Sequence, residues 1–203
     1  MVSASADGRV ARGERSRRAI AEALVSLLED GEAQPTARQV AQRAGVSLRL
    51  VFHHFEDMEA VLRAAVAVQV ERHWALRTPV DPGMTLDDRI TALARQRASL
   101  YQDIAPVRRA AAGVECGSPT LRRELGNARV ALRGELAAVF AGEMPASPAE
   151  AEALLDSLEL ATSFETWDQL RRRMELDQDA ATRTMARLLA TSIDHRTGLP
   201  RAH

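Results

Sequence analysis

The sequence predicts an all-α protein of about nine helices, and three observations predict it. Hydrophobic residues make up 46% of the 203 positions but aromatics only 3%, so the core must be built from Ala, Leu and Val; Ala and Leu favour helix. Apolar residues recur at spacings of three and four along most of the chain. Proline and glycine stand where helices would start and stop, and no segment alternates apolar with polar residues between turn signals, so no sheet is expected.

Residues 1–14 are small, polar and glycine-containing, and read as a mobile basic arm. From Arg15 to Asp30, Ile20, Leu24, Leu27 and Leu28 form one apolar helix face, with Gly31 placed to end it. Thr36 and Gln39 fit a capping box that opens a short helix to about Ala44. Gly45 can take the left-handed turn after it, and Ser47 caps a second short helix to about His54. Asp57 caps a longer helix toward Arg77. Residues 78–83 are the clearest break. Beyond it, helices are expected at 85–102, 104–113, 118–143, 148–174 and 177–194. Pro106, Pro119 and Pro148 fit first turns, and Ser118 and Ser147 fit the caps of the last two of these starts. The predicted organisation is an arm at 1–14, a first helical domain at 15–60, a second helical domain at 61–195, and a frayed tail at 196–203.

The formal net charge is -1 and is unevenly spread. Residues 8–55 carry eight Arg (9, 12, 15, 17, 18, 38, 43, 49) and five acids (14, 22, 29, 30, 32), hence +3, which leaves -4 for the rest. A basic head on an acidic body suits contact with a polyanion at one end only. All 27 Lys or Arg positions are Arg, whose fork suits phosphate and guanine. The single Cys116 excludes an internal disulfide framework and a multi-cysteine zinc site. No apolar run is long enough for a membrane span, and the first residues lack a signal-peptide pattern, so the expected compartment is the cytoplasm.

The informative segment is Thr36 to Phe55. A helix-turn-helix crosses two short helices steeply. The crossing needs a small residue at the contact, a turn residue tolerant of positive φ, and an apolar residue packing back from the second helix. Ala41, Gly45 and Val51 fill these places, with Val40, Ala44 and Val46 inward beside them. The second helix would enter a major groove, with Leu48, Arg49, Phe52 and His53 outward. Arg49 can read guanine O6 and N7 bidentately, and Leu48 and Phe52 can pack on thymine methyls or sugar edges. Thr36 and Ala37 offer free backbone N–H groups to a phosphate, with Arg38 beside them. Ser47 and His54 complete the candidate DNA-binding set.

The pattern Thr36, Val40-Ala41, Ala44-Gly45-Val46-Ser47, Phe52, His54-Phe55, Asp57, Glu59 and Val61-Leu62 resembles the TetR family signature, over roughly residues 15–62. Two positions depart from it. Phe52 stands where the family usually has Tyr, and Met58 where it usually has Lys, so two phosphate contacts are missing. Arg49 and Leu50 are bulkier than the residues often found there. The Arg-rich arm (Arg9, Arg12, Arg15, Arg17, Arg18) is expected to offset those losses.

The resemblance implies a repressor bound as a homodimer to double-stranded operator DNA, an inverted repeat, and released by a small-molecule effector. It implies DNA binding by residues 15–60, effector binding and dimerisation by residues 61–195, and neither an enzyme nor a cofactor. The expected effector lining is Trp74, Leu93, Arg97, Leu100, Tyr101, Val107, Leu125, Arg129, Phe164 and Trp167, with the two arginines facing an anionic or polar group. The expected dimer interface is Leu155, Leu158, Thr162, Met185, Leu188, Leu189 and Ser192, because helix 148–174 is apolar on more than one side and should bury two faces. A thick monomer core is the competing account of that stripe.

Other features read plainly. Adjacent His53 and His54 point about 100° apart and lack a third ligand, so no metal site is expected. Cys116, without a second cysteine, is an inert thiol before it is a redox sensor. Arg171, Arg172 and Arg173 suit a solvated helix end. No nucleophile and base stand in a recognisable pattern, which weighs against a helical enzyme; a protein-interaction module that keeps the helix-turn-helix as scaffold is the other alternative.

Overall fold

The computed structural model describes the backbone of residues 3–198 and, within it, the side chains of residues 11–75 and 77–194. Among the described residues there are nine α-helices and no strand: α1 (Ser3–Glu29), α2 (Ala37–Arg43), α3 (Leu48–His54), α4 (Met58–Leu76), α5 (Leu86–Glu115), α6 (Pro119–Val139), α7 (Pro148–Ala161), α8 (Phe164–Arg172) and α9 (Gln178–Gly198). A short 3-10 turn lies at Ala141–Glu143. The fold is all-α, as the composition and periodicity predict. No described helix is long and apolar enough to cross a membrane.

Several boundaries differ from expectation. α1 begins at Ser3, so helix runs through most of the segment read as an arm. α5 is continuous where a break near residue 103 was expected, with Pro106 inside it. Proline removes one hydrogen bond and costs about 3 kcal/mol in a helix interior, so packing must carry the helix across; Ala105, Val107 and Ala111 beside and beyond it are all buried. The expected helix 118–143 ends at Val139 and gives way to the 3-10 turn. The expected helix 148–174 breaks at Thr162–Ser163 into α7 and α8. There the Ser163 hydroxyl accepts from the Thr166 N–H at 3.1 Å, and the Thr166 hydroxyl donates to the Leu160 carbonyl at 2.6 Å. Side chains thus satisfy the backbone groups that a continuous helix would pair. α9 continues to Gly198, and the remainder of the expected frayed tail, residues 199–203, lies outside the described residues.

The chain forms two compact units. The first comprises the described residues to Arg77 together with Ile104–Leu125, and the second comprises Thr78–Asp103 and the described residues from Gly126 on. In the first, Ile20, Leu24 and Leu28 of α1 pack with Val40 of α2, Val51 of α3, Phe55, and Val61, Ala65 and Val66 of α4; Val107, Ala111 and Leu121 close the same core. α1 thus presents the 3.6-residue stripe that its sequence shows.

The starts of α2, α3 and α4 follow local chemistry. Thr36 and Gln39 make the capping box, with the Gln39 side chain accepting from the Thr36 N–H at 2.8 Å. Ser47 accepts from the Leu50 N–H at 3.2 Å, and Asp57 from the Ala60 N–H at 2.7 Å. Ser147 holds the N-cap position of α7 but makes no capping hydrogen bond, a correction to the role expected of it. Gly45 carries φ 66 in the turn between α2 and α3, and a methyl group there would meet nothing within 4 Å. Any cost of substitution is therefore backbone strain. Gly45→Ala is expected to lower stability by about 1–2 kcal/mol, read as a shifted denaturant midpoint with an unchanged slope. An unchanged midpoint would contradict the left-handed turn.

In the second unit, α7 packs against α9: Leu154, Leu158 and Ala161 are buried, as are Ala181, Met185, Leu189 and Ile193. Arg133 of α6 reaches Glu152, Asp156 and Glu159 of α7 at 2.6, 2.9 and 2.6 Å. Arg89 of α5 holds Glu143 through two hydrogen bonds of 2.8 and 2.7 Å, and a third from it reaches the Val139 carbonyl. The hydrogen bonds from Arg89 hold the Glu143 carboxyl below its ordinary value of 4.5, against the opposing effect of burial. A carboxyl depressed in the folded state stabilises above its unfolded pKa, and that stability is lost as pH falls through the folded value. Below about pH 4.5 the protein should therefore lose more stability than its Glu143→Gln variant does. Parallel pH–stability curves for the two would refute this.

Candidate nucleic-acid interface

The helix-turn-helix is built by burial on one side and exposure on the other. Val40 and Val51 have no accessible surface and Ala41 retains 4%, so α2 and α3 cross on the residues that the pattern assigns to the crossing. The turn is closed by hydrogen bonds from the Ala44 N–H to the Val40 carbonyl and from the Val46 N–H to the Ala41 carbonyl, each 2.9 Å.

On the opposite side of α3, Ser47, Leu48, Arg49, Phe52 and His53 are exposed, while Leu50 and His54 are half-buried. Phe52 keeps 52% of its surface in solvent and Leu48 39%, a large apolar exposure for one short helix. Thr36 and Arg38 are exposed at the start of α2, and Ala37 is half-buried. Arg38 and Arg49 make no ion pair or hydrogen bond among the described residues. They differ in this from other arginines of the head. Arg18 bonds Glu22 and Glu71, and Arg43 bonds Asp30 and the Ser26 hydroxyl. Much of the basic excess is thus neutralised within the unit, and two guanidinium groups beside the exposed face of α3 stay available.

Sequence reasoning counted Arg17 with the arm and missed what it does. The Arg17 guanidinium donates to the His54 carbonyl at 2.9 Å and lies 4.5 Å from the centroid of the Phe55 ring. It ties α1 to the C-terminal end of α3, where a cation also suits the helix dipole. No local signal marks this tie, because the two partners are 37 residues apart. The His54 pKa is lowered by burial and by the nearby His53 and Arg17, with Glu14 opposing them. The two histidine rings meet edge to face at 5.3 Å, and no metal-holding group of three ligands exists among the described residues. Met58 packs partly buried against the core, so the position that departs from the family pattern serves packing here.

The residues expected to line an effector site fall in both units. In the first, Val107 lies in the core, Leu125 packs against it, and Trp74 lies 4.4 Å under the Arg77 guanidinium. In the second, Leu93 and Leu100 are buried; Arg97 pairs with Glu135 at 2.8 Å; exposed Arg129 pairs with Glu159 at 2.9 Å. Neither arginine offers a free charge. Tyr101, Phe164 and Trp167 form an aromatic cluster with centroids 5.7–6.1 Å apart. The Tyr101 hydroxyl donates to the Thr162 carbonyl at 2.6 Å, and burial pushes its pKa well up. The Trp167 indole N–H is buried without a hydrogen-bond partner. Such an orphan donor costs about 1–3 kcal/mol and calls for an explanation.

The expected dimer residues divide likewise. Leu158, Met185 and Leu189 have no accessible surface and Thr162 has 2%, so these four are packed inside their own unit and cannot reach a partner as they stand. Leu155 and Ser192 are half-buried. Leu188 is 41% exposed, and Leu160, absent from the expected set, is 68% exposed. A helical stripe in sequence does not say which of its sides the rest of the chain covers.

A crossing sealed by Ala41 and Val51, with an exposed α3, defines a helix-turn-helix. Residues 19–65 match the family model of bacterial regulatory proteins, tetR family. The fold is similar to that of a transcriptional regulator from Rhodococcus sp. Rha1, at a TM-score of 0.71 and 23% identity, covering 91% of this chain and 99% of that one. It is similar also to a protein assigned to the TetR-family transcriptional regulators from Rhodococcus sp., at a TM-score of 0.66 and 18% identity, covering 89% and 99%. No curated protein matches. Residues 19–65 are thus similar to the helix-turn-helix segment of that family, and the fold is similar to that of the two regulators.

Proposed function

We propose that the protein is a cytoplasmic repressor that binds an inverted-repeat operator as a homodimer and leaves it when a small molecule binds the C-terminal unit. The observation that carries this reading is the outward face of α3, where Arg49 stands unpaired between exposed Leu48, Phe52 and His53 on a helix fixed from beneath. Arg49 would read a guanine, Leu48 and Phe52 would pack on thymine methyls, and Thr36, Ala37, Arg38 and Ser47 would meet phosphates. His53 and His54 would lie along the backbone.

Exposed Leu160 and Leu188, with Leu155 and Ser192, would face a second copy. Two-fold symmetry would then set the reading helices about one DNA turn apart, ~34–36 Å. An effector would act by binding one of two conformations more tightly.

The test is a gel shift with the DNA upstream of the protein's own coding region. The expected result is a retarded complex whose affinity falls steeply with salt, as arginine–phosphate contacts release counterions. A footprint should cover an inverted repeat. Equal affinity for unrelated DNA, or no complex at low salt, would overturn the reading.

A further inference from the structure

We propose that the protein reads C5-methyl groups on pyrimidines: the guanine taken by Arg49 lies within two base pairs of a C5-methylated pyrimidine, thymine or 5-methylcytosine, whose methyl packs on Phe52 and Leu48. The inference rests on the DNA-binding reading above and specifies what α3 selects.

α3 is divided along its length. Successive residues turn about 100° around a helix axis. With Leu48 at the origin, Phe52 falls at about 40°, Arg49 at about 100° and His53 at about 140°, whereas Leu50, His54 and Val51 fall between about 200° and 300°. The first four are exposed, and the last three are half-buried or buried. The outward arc thus runs from an apolar row, Leu48 and Phe52 one turn apart, to a polar row, Arg49 and His53. Phe52 and Arg49 stand on either side of its midline.

The apolar row does nothing for the core. Phe52 is 52% and Leu48 39% exposed, while Val51 alone seals the crossing from α3. At position 52 a tyrosine hydroxyl could bond a phosphate; Phe52 has none, so its ring is left for apolar contact. The apolar group that base edges offer in a major groove is the C5 methyl of thymine, and 5-methylcytosine carries the same group at the same place. Arg49, beside the row, makes no ion pair or hydrogen bond among the described residues, and its free charge suits a polyanion over an apolar protein surface.

Helix rise sets the spacing. From Arg49 to Phe52 is three residues, about 4.5 Å along the axis. Base pairs stack at ~3.4 Å. The methyl therefore belongs to the pair next to the guanine or to the one beyond it.

The test uses duplexes of the footprinted inverted repeat and the full-length protein. Each thymine is replaced in turn by uracil, which lacks only the methyl, and each cytosine by 5-methylcytosine, which adds only the methyl. Within two base pairs of the guanine at which Arg49→Ala relaxes the preference, uracil should weaken binding, or 5-methylcytosine strengthen it, about fourfold per methyl, the worth of one buried CH2. A loss at a thymine names thymine as the natural group; a gain at a cytosine without such a loss names 5-methylcytosine. Leu48→Ala/Phe52→Ala should abolish the response, and Arg49→Ala should keep it. Both apolar residues are exposed, so the double variant leaves the core in place. No response within two base pairs of the guanine, or a response that survives in the double variant, would overturn the proposal. So would a double variant that binds DNA as the wild type does but no longer self-associates, since the row would then belong to a second copy. A complex that forms without any methyl response refutes this inference alone, whereas the lack of a complex at low salt refutes the regulator reading and the inference with it.

Discussion

Glu135→Gln should destabilise the protein by about 3–5 kcal/mol, the usual cost of removing one partner of a buried ion pair. The Arg97 side chain is 1% exposed and that of Glu135 6%, at 2.8 Å from each other. Arg97 also donates to the Leu132 carbonyl at 3.1 Å, and the Gln96 amide donates to Glu135 at 3.0 Å. In the variant a guanidinium remains buried in the second unit with its charge uncompensated, and that penalty, rather than the lost attraction, dominates. The double variant Arg97→Met/Glu135→Leu should recover most of the loss, because apolar replacement of a whole buried pair is often neutral or stabilising. Chemical denaturation of the wild type and both variants measures this. A single variant as stable as the wild type would mean that Arg97 finds water or another acceptor.

The helix-turn-helix was legible in the sequence because its boundaries are set by neighbours. Thr36 and Gln39 cap each other, Ser47 and Asp57 cap their helices, and Gly45 makes the turn, all through bonds spanning three or four residues. The side of α3 that stays in water follows from period alone once Val51 is placed inward. The C-terminal unit was less legible. The apolar stripe of Leu154, Leu158, Trp167 and Leu170 runs across residues 162 and 163 without a visible fault, so periodicity joined what two hydroxyl groups separate. Pro106 misled in the opposite direction, since its ring says nothing about the packing that carries α5 through it. Partners far apart in sequence left no trace at all: Arg17 with His54, Arg97 with Glu135, and Arg89 with Glu143. The same limit explains the dimer stripe, whose innermost residues turned out to be covered by their own chain.

Arg49→Ala should weaken binding to the operator by about 1–3 kcal/mol, a factor of roughly five to 150, and relax the preference at one base pair in each half-site. Arg38→Ala should act differently. A phosphate contact carries no sequence information, so its loss should weaken binding to all sequences alike and reduce the salt slope by about 0.9 for each copy of the contact. Both guanidinium groups are exposed and make no internal bond among the described residues, so neither change removes an interaction that holds the head together. The pair of measurements requires only a bound DNA fragment and its single-base variants. If Arg49→Ala lowered affinity uniformly and changed the salt slope instead, Arg49 would be lying along the backbone. Base reading would then fall to Leu48, Phe52 and His53, of which only His53 carries a polar group able to bond a base edge.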